Sequence, residues 1–143
     1  MTDPLLLACL VDGENTVAVE IHNGRESSSD VYFDFPSLVF STEVPAKTSV
    51  LLDETATWKY LDDNTDPAGD PDDTGYNRAS WAAEDFSDAG WKSAAGPFGS
   101  KRGSADLGGG FVANTILDGC DGNIDTFAYF FRTTFTVTED QLA

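Results

Sequence analysis

The sequence predicts an all-β protein built as a β-sandwich, and three observations support this fold class. Apolar and polar side chains alternate in residues 15–22, 31–35 and 127–137, with the period of two that is typical of half-buried strands. Thirteen glycines and six prolines separate such short runs. No long stretch has the 3.6-residue period of an amphipathic helix. From the alternation, the residues expected on the inner faces are Val17, Val19, Ile21, Val31, Phe33 and Phe35.

The expected pairing of the strands follows the order of the chain. Asn23-Gly24 favours a tight turn, and residues 15–22 and 31–35 are therefore expected to be neighbouring antiparallel strands. Residues 37–42 are expected to continue the second of them through a bulge. Residues 127–137 are the best candidate for the sheet that faces this pair. Their predicted inner face contains Phe127, Tyr129, Phe131, Phe135 and Val137, in preference to the face that carries Phe130.

Length and charge restrict the class of protein. With 143 residues, the chain is expected to form one sandwich domain over residues 1–143. The net charge of −17 would repel a phosphate backbone and an anionic membrane surface, so nucleic acid is not an expected partner. No stretch reaches the ~18 apolar residues of a membrane span. The composition suits an extracellular or cell-surface protein that binds divalent cations through oxygen ligands.

The cysteines leave two alternatives open. Cys9 and Cys120 permit one disulfide, or they are two small buried side chains. Residues 6–9 match a lipidation box, but no basic segment precedes them, so a short apolar segment that leads into the first strand is expected. The single histidine, His22, excludes a multi-histidine metal site.

An acidic loop is the densest group of oxygen ligands in the sequence. Residues 62–77 contain six aspartates without any periodicity, which indicates a surface loop. Calcium takes six to eight oxygens from such loops. The spacing imitates the start of an EF-hand, but Pro67 occupies the position of the required glycine, so a solvated loop is the alternative. The candidate calcium ligands are Asp62, Asn64, Asp66, Asp70, Asp72 and Asp73. Residues 121–125 repeat the spacing.

Three longer motifs resemble a known family. TWKYLDDNTD, RASWAAEDFSDAGWKSAAGPFG and AYFFRTTFTV resemble the first half of a galactose-binding-like jelly-roll module. GENTVAVEIHNG with SSSDVYFDF resembles its second half. The order is inverted, because residues 5–42 are tail-like and residues 49–139 are head-like. The central hairpin of the family is missing. The chain is therefore either cut across two tandem modules or a circular permutant that lacks strands, and an open sheet edge could pair with a second copy as a homodimer.

The resemblance implies a function without catalysis. Galactose-binding-like modules recur in secreted bacterial proteins, often beside metallophosphoesterase or glycosidase domains, and often contain a structural calcium. Carbohydrate or a cell-surface glycan is the implied ligand. Trp58, Trp81 and Trp91 are the candidate stacking residues, and the alternative is that they belong to the core. Glu20 and His22 share a strand face and could form an acid–base pair. We instead expect them to be outward-facing polar residues of a half-exposed strand.

The expected function is therefore that of a non-catalytic, carbohydrate-binding-like accessory module of a secreted or cell-surface bacterial protein. Two alternatives remain open. The chain could be the appendage of a secreted metallophosphoesterase or glycosidase, or it could be a structural spacer in a tandem array. No nucleophile with a base, phosphate-binding glycine loop or recognisable carboxylate pair is apparent in the sequence.

Overall fold

The computed structural model of the chain describes residues 9–23, 30–43, 46–119, 126 and 128–142. The strands among these residues are β1 (Gly13–His22), β2 (Asp30–Phe33), β3 (Ser37–Glu43), β4 (Ala46–Asp53), β5 (Thr57–Leu61), β6 (Lys92–Ala95), β7 (Phe98–Lys101), β8 (Asp106–Gly108), β9 (Phe111–Val112), β10 (Thr115–Ile116) and β11 (Ala128–Val137). A 3₁₀ turn spans Ser80–Ala82, and a short helix, α1, spans Glu139–Leu142. The prediction of an all-β protein is confirmed. Within the described part of the chain, no helix has the length and apolar composition needed to cross a membrane.

Two sheets form the two layers of the sandwich. The first has the strand order β1-β11-β5-β6 and is antiparallel throughout. In the second, β7 pairs with β2 in antiparallel and with β10 in parallel orientation. Two hairpins, β3–β4 and β8–β9, complete the described strands.

The main core lies between the two sheets and is largely aromatic. The ring centroid of Phe33 on β2 lies 4.5 Å from that of Phe131 on β11 and 5.3 Å from that of Trp58 on β5. Phe98 on β7 lies 5.1 Å from Phe131. Burial of such rings is the main source of stability in a sandwich of this size. The partly buried side chains that pack against this core include Val17, Val19, Ile21 and Phe35, as the alternation predicts.

The β3–β4 hairpin extends the core towards one end of β11. Leu52 of β4 packs with Phe135 and Val137 of β11, and all three are buried. The odd-numbered face of β11 is therefore its inner face over its whole described length, which confirms that prediction for Tyr129, Phe131, Phe135 and Val137. Phe127 lies outside the described residues.

The outer face of β11 is also covered, by residues 81–91, which we call the cover segment. Trp81 contacts Phe130 edge-on, with 5.1 Å between ring centroids, and both side chains are buried. The prediction placed Phe130 on the outer face of a half-exposed strand. Because the cover segment lies over this face around Phe130, β11 is buried on both sides there, whereas Thr134 and Thr136 on the same face are exposed.

The predicted pairing of the first two strands is wrong. Strands β1 and β2 lie in opposite sheets, with β1 beside β11 and β2 beside β7. The physical reason is ladder length. β11 is as long as β1 and offers it ten residue pairs, whereas β2 has only four residues. The longer ladder satisfies more backbone donors and acceptors.

Two related predictions are also corrected. Residues 127–137 were expected to face the first strand, but β11 is its neighbour in the same sheet and faces β2 instead. Residues 37–42 do not continue β2, since β3 pairs only with β4 among the described strands. The β1–β11 ladder nevertheless joins residues 13–22 to residues 128–137 within one chain, and the permuted module stays a prediction.

Candidate functional site

Asp62 is a buried carboxylate at the end of β5. It follows Leu61 directly, and its side chain is 1% exposed. The backbone N–H of Asp118 donates to Asp62 Oδ2 at 2.9 Å. The ammonium of Lys92 lies 2.7 Å from Asp62 Oδ1, but Oδ1 receives no directed hydrogen bond from the described residues, so this contact is an ion pair. A buried carboxylate requires such a counter-charge, because an unpaired one is strongly destabilising.

Lys92 links two of the carboxylates at this site. It is the first residue of β6, opposite Tyr60 on β5, and its Nζ lies 2.5 Å from Asp118 Oδ2 as well as 2.7 Å from Asp62 Oδ1. Burial lowers the pKa of Lys92, but the hydrogen bond to Asp118 and the negative charges of Asp62 and Asp118 outweigh it and raise this pKa above its ordinary value of 10.5. Lys92 therefore stays charged at neutral pH and lies beside both carboxylates.

Thr126 and Gly119 also belong to the site. Thr126 is 2% exposed, and its hydroxyl has no hydrogen-bond partner among the described residues. The side-chain amide of Asn23 donates to its carbonyl at 2.8 Å. Gly119 has a φ of +80°, and a Cβ at this position would lie 1.7 Å from Thr126 Oγ1. Only glycine allows this close approach.

These residues line a pocket, which we call the Asp62 pocket, with a volume of about 510 Å³. Pockets that bind small molecules measure roughly 300–1,000 Å³. The lining contains Asp62, Asp63, Gly103, Ile116, Asp118 and Thr126. Its carboxylate and hydroxyl oxygens can accept hydrogen bonds from a ligand, and the half-exposed side chain of Ile116 offers an apolar contact. Chemically, the pocket suits a compact ligand that carries several hydroxyl groups.

The structure does not bring the predicted calcium ligands together into one group. Within the described residues, no three acidic, histidine or cysteine side chains are arranged to bind a metal ion. Asp62 is bound to Lys92, as described above. Asp66 accepts hydrogen bonds from the Ala68 N–H at 2.8 Å and the Tyr76 hydroxyl at 2.9 Å, and Asp70 accepts one from the Asp72 N–H. Calcium binding stays a prediction, and residues 121–125 lie outside the described part of the chain.

The three tryptophans differ in how much surface they present. Trp58 and Trp81 are buried at 2% and 5% exposure, so neither ring has an open face for a sugar. Trp91 is partly exposed, and its ring centroid lies 6.3 Å from that of Trp81 and 5.9 Å from that of Phe86. The stacking prediction therefore depends on Trp91 alone. The alternative, that the tryptophans belong to the core, describes Trp58.

Two other predicted groups lie away from the pocket. Glu20 Oε1 is 2.7 Å from His22 Nε2, and Arg78 lies 3.2 Å from both Glu20 oxygens, so the strand face that they share is an exposed ion-pair cluster. Cys9 is exposed, and Cys120 lies outside the described residues. The disulfide between them stays a prediction.

Sequence reasoning named Asp62 but missed the other described residues that line the pocket, and it also missed Lys92 beside them. Lys92 lies within the motif RASWAAEDFSDAGWKSAAGPFG, which gives it no role, whereas Asp118, Gly119 and Thr126 belong to segments that carry no recognisable motif. The signal for Gly119 was a glycine in a loop, which indicates a turn but not the close approach to Thr126. The chain has only eight lysines and arginines but 25 acidic residues. Lys92 is one of these few cations, which makes it a candidate to pair with a buried carboxylate.

Comparison with known proteins gives no relative for the chain: no family model, curated protein or solved structure matches it. The resemblance to galactose-binding-like modules, and with it the jelly-roll assignment, therefore stays a prediction.

Proposed function

We propose that this chain is a non-catalytic, carbohydrate-binding accessory module of a secreted or cell-surface bacterial protein, and that the Asp62 pocket is its sugar site. The observation that carries the proposal is the pocket of about 510 Å³ with carboxylate acceptors beside a half-exposed apolar side chain. Sugar hydroxyls donate to carboxylates in strong, charge-assisted hydrogen bonds. The C–H face of a pyranose ring would pack on Ile116. The secreted setting and the bacterial origin rest on the family resemblance.

The arrangement of the carboxylates favours binding over catalysis. Glycoside hydrolysis ordinarily requires two carboxyl groups that act on either side of the scissile bond. Asp62 and Asp118 are both bridged by Lys92, which leaves Asp63 as the one carboxylate in the described lining without this cation. The pocket can therefore orient a sugar without cleaving it.

Titration with a panel of neutral oligosaccharides, followed by chemical shifts in the protein's NMR spectrum, tests the proposal. We expect shifts at Asp63, Ile116 and Asp118. Ile116→Ala should weaken binding about tenfold, because it removes roughly three buried carbons from the contact. Val112→Ala is the matched control: Val112 is 57% exposed on the neighbouring β9 but does not line the pocket, so its loss should leave the affinity unchanged.

The same experiment separates the rival functions. A structural spacer would show no saturable shifts at the pocket with any sugar, and this outcome would contradict the proposal. Saturable shifts in a different surface region, with an affinity that Ile116→Ala does not change, would show that the sugar binds outside the Asp62 pocket. Hydrolysis of a chromogenic phosphate ester or galactoside that Asp63→Asn abolishes would contradict the non-catalytic part and favour an enzyme.

A further inference from the structure

The charges around the Asp62 pocket are unbalanced. Three of its lining side chains are carboxylates, those of Asp62, Asp63 and Asp118, and none of its described lining residues is a lysine or arginine. The nearby ammonium of Lys92 is shared between Asp62 and Asp118. One ammonium beside three carboxylates leaves two negative charges uncompensated. The pocket also lies on a protein with a net charge of −17, which attracts cations from a distance.

A second feature points to a ligand independently of this charge. The hydroxyl of Thr126 is buried and has no partner among the described residues, and Thr126 is one of the residues that line the pocket. Buried polar groups normally have a hydrogen-bond partner, because leaving one unsatisfied is costly. A hydroxyl or amine of a bound molecule can supply that partner. The pocket is thus equipped for a polar ligand and is not merely an acidic surface.

We propose that the Asp62 pocket selects a saccharide that carries a free amine, an amino sugar, over neutral, N-acetylated and acidic sugars. The inference rests on the proposed function and adds the substrate class. The protonated amine would lie beside the uncompensated carboxylates, and we expect it to contact Asp63, which is exposed and is not paired with Lys92. The ring hydroxyls would reach the remaining acceptors and Thr126. A uronic acid or a sulfated sugar would instead bring a negative charge to the same carboxylates, which is unfavourable.

Calorimetric titration of the full chain with four tetrasaccharides of matched length tests the selectivity. The probes are the β-1,4-linked tetramers of glucosamine, N-acetylglucosamine and glucose, together with the tetramer of galacturonic acid, at low salt and below the pKa of the sugar amine. We expect the glucosamine tetramer to bind at least about tenfold more tightly than the neutral pair, which corresponds to about 1.4 kcal/mol. The galacturonic acid tetramer should bind most weakly.

Two variants with the same change in charge locate the effect. Asp63 Oδ1 accepts a hydrogen bond from the Thr65 N–H at 3.0 Å. In Asp63→Asn, the amide oxygen can accept the same hydrogen bond, so the loop should retain its shape. This substitution should lower the affinity for the glucosamine tetramer about fivefold. Asp70→Asn is the matched control, since Asp70 accepts the Asp72 N–H in the same manner but does not line the pocket. It should leave the affinity unchanged.

The outcomes distinguish this inference from the proposed function. Equal affinity for the amine-bearing and neutral tetramers would overturn the amine selectivity and leave carbohydrate binding intact. Spermine is the non-sugar cation control, and binding of spermine with the same dependence on Asp63 would overturn a saccharide ligand. Equal losses of affinity for the glucosamine tetramer in Asp63→Asn and Asp70→Asn would show that the overall charge of the protein causes the effect and that the pocket does not. If none of the tetramers binds, the proposed function fails together with the inference.

Discussion

Gly119 is the residue with the least freedom in the described part of the pocket. Its φ of +80° is a conformation that other residues adopt only with strain. A side chain there would also overlap Thr126, whose Oγ1 and Cβ would lie 1.7 and 2.6 Å from the added carbon. Both effects act at the residue that directly follows Asp118, which lines the pocket. One position therefore controls the shape of that side of the site.

Gly119→Ala should lower the free energy of unfolding by about 2–5 kcal/mol, from about 1–2 kcal/mol of backbone strain and about 1–3 kcal/mol of overpacking. Gly75→Ala separates the two terms, because Gly75 has a similar φ of +88° but open space around its added carbon. It should show the backbone term alone. Urea denaturation of both variants measures the difference. Equal losses in the two variants would contradict the contact between Gly119 and Thr126.

At the scale of single residues, the sequence showed where acidic residues are concentrated, but it did not show which of them contact one another in the fold. Asp62 and Asp63 are neighbours in one acidic loop, and composition gives them the same role. The structure separates them, because Asp62 is buried against the Asp118 N–H, 56 residues further along the chain, while Asp63 is exposed. Contacts of such separation leave no local pattern that alternation or spacing could detect.

At the level of the elements, the cover segment is attached to the first sheet through one buried arginine. Arg132 on β11 donates from Nη1 to the carbonyls of Trp81 and Ala83, the latter at 3.0 Å, and from Nε to Asp88 Oδ2 at 3.2 Å. Its guanidinium also lies 5.2 Å from the ring centroid of Phe86. Arginine suits this role because its planar group can reach several acceptors at once.

Arg132→Lys should therefore destabilise the protein although it keeps the charge. A single ammonium cannot reproduce the fork, and we expect a loss of about 1–3 kcal/mol, the cost of leaving buried acceptors unsatisfied. Arg78→Lys is the matched control, since Arg78 is mostly exposed beside Glu20, and its effect should stay below about 0.5 kcal/mol. Thermal unfolding followed by tryptophan fluorescence measures both changes. A loss in Arg132→Lys no greater than that in Arg78→Lys would show that the fork does not anchor the cover segment.

The elements also show the limit of pattern analysis. Alternation correctly assigned the inner faces of β1 and β11, because a period of two reports which side chains face the core. It does not report the neighbour of a strand. The ten-pair ladder between β1 and β11 joins the two ends of the sequence, and nothing local to either strand predicts it. Arg132 was missed for a related reason, since an outward position was expected to face solvent.

At the scale of the whole molecule, the fold depends on contacts between distant parts of the chain. β1 and β2 come from the tail-like half, and their main partners, β11 and β7, come from the head-like half. The sandwich is therefore closed by pairing between the halves in both sheets. Among the described strands, β1, β6, β2 and β10 remain at sheet edges, so a homodimer across an open edge stays a prediction.

A pair of substitutions on β1 tests whether this closure is correct. Val19 packs against the core between the sheets, and Val19→Asp would bury an unpaired charge there. We expect a loss of about 3 kcal/mol or more, which is a large part of the roughly 5–15 kcal/mol by which an ordinary domain is stable. Ala18 faces the other way and is paired with Arg132 across the ladder, so Ala18→Asp would place its carboxylate beside a cation and should cost less than about 1 kcal/mol. Circular dichroism and urea denaturation of the two variants measure both effects. If Val19→Asp stays as stable as the parent, or only Ala18→Asp unfolds, then the register of β1 against β11 is wrong and so is the sandwich that it closes.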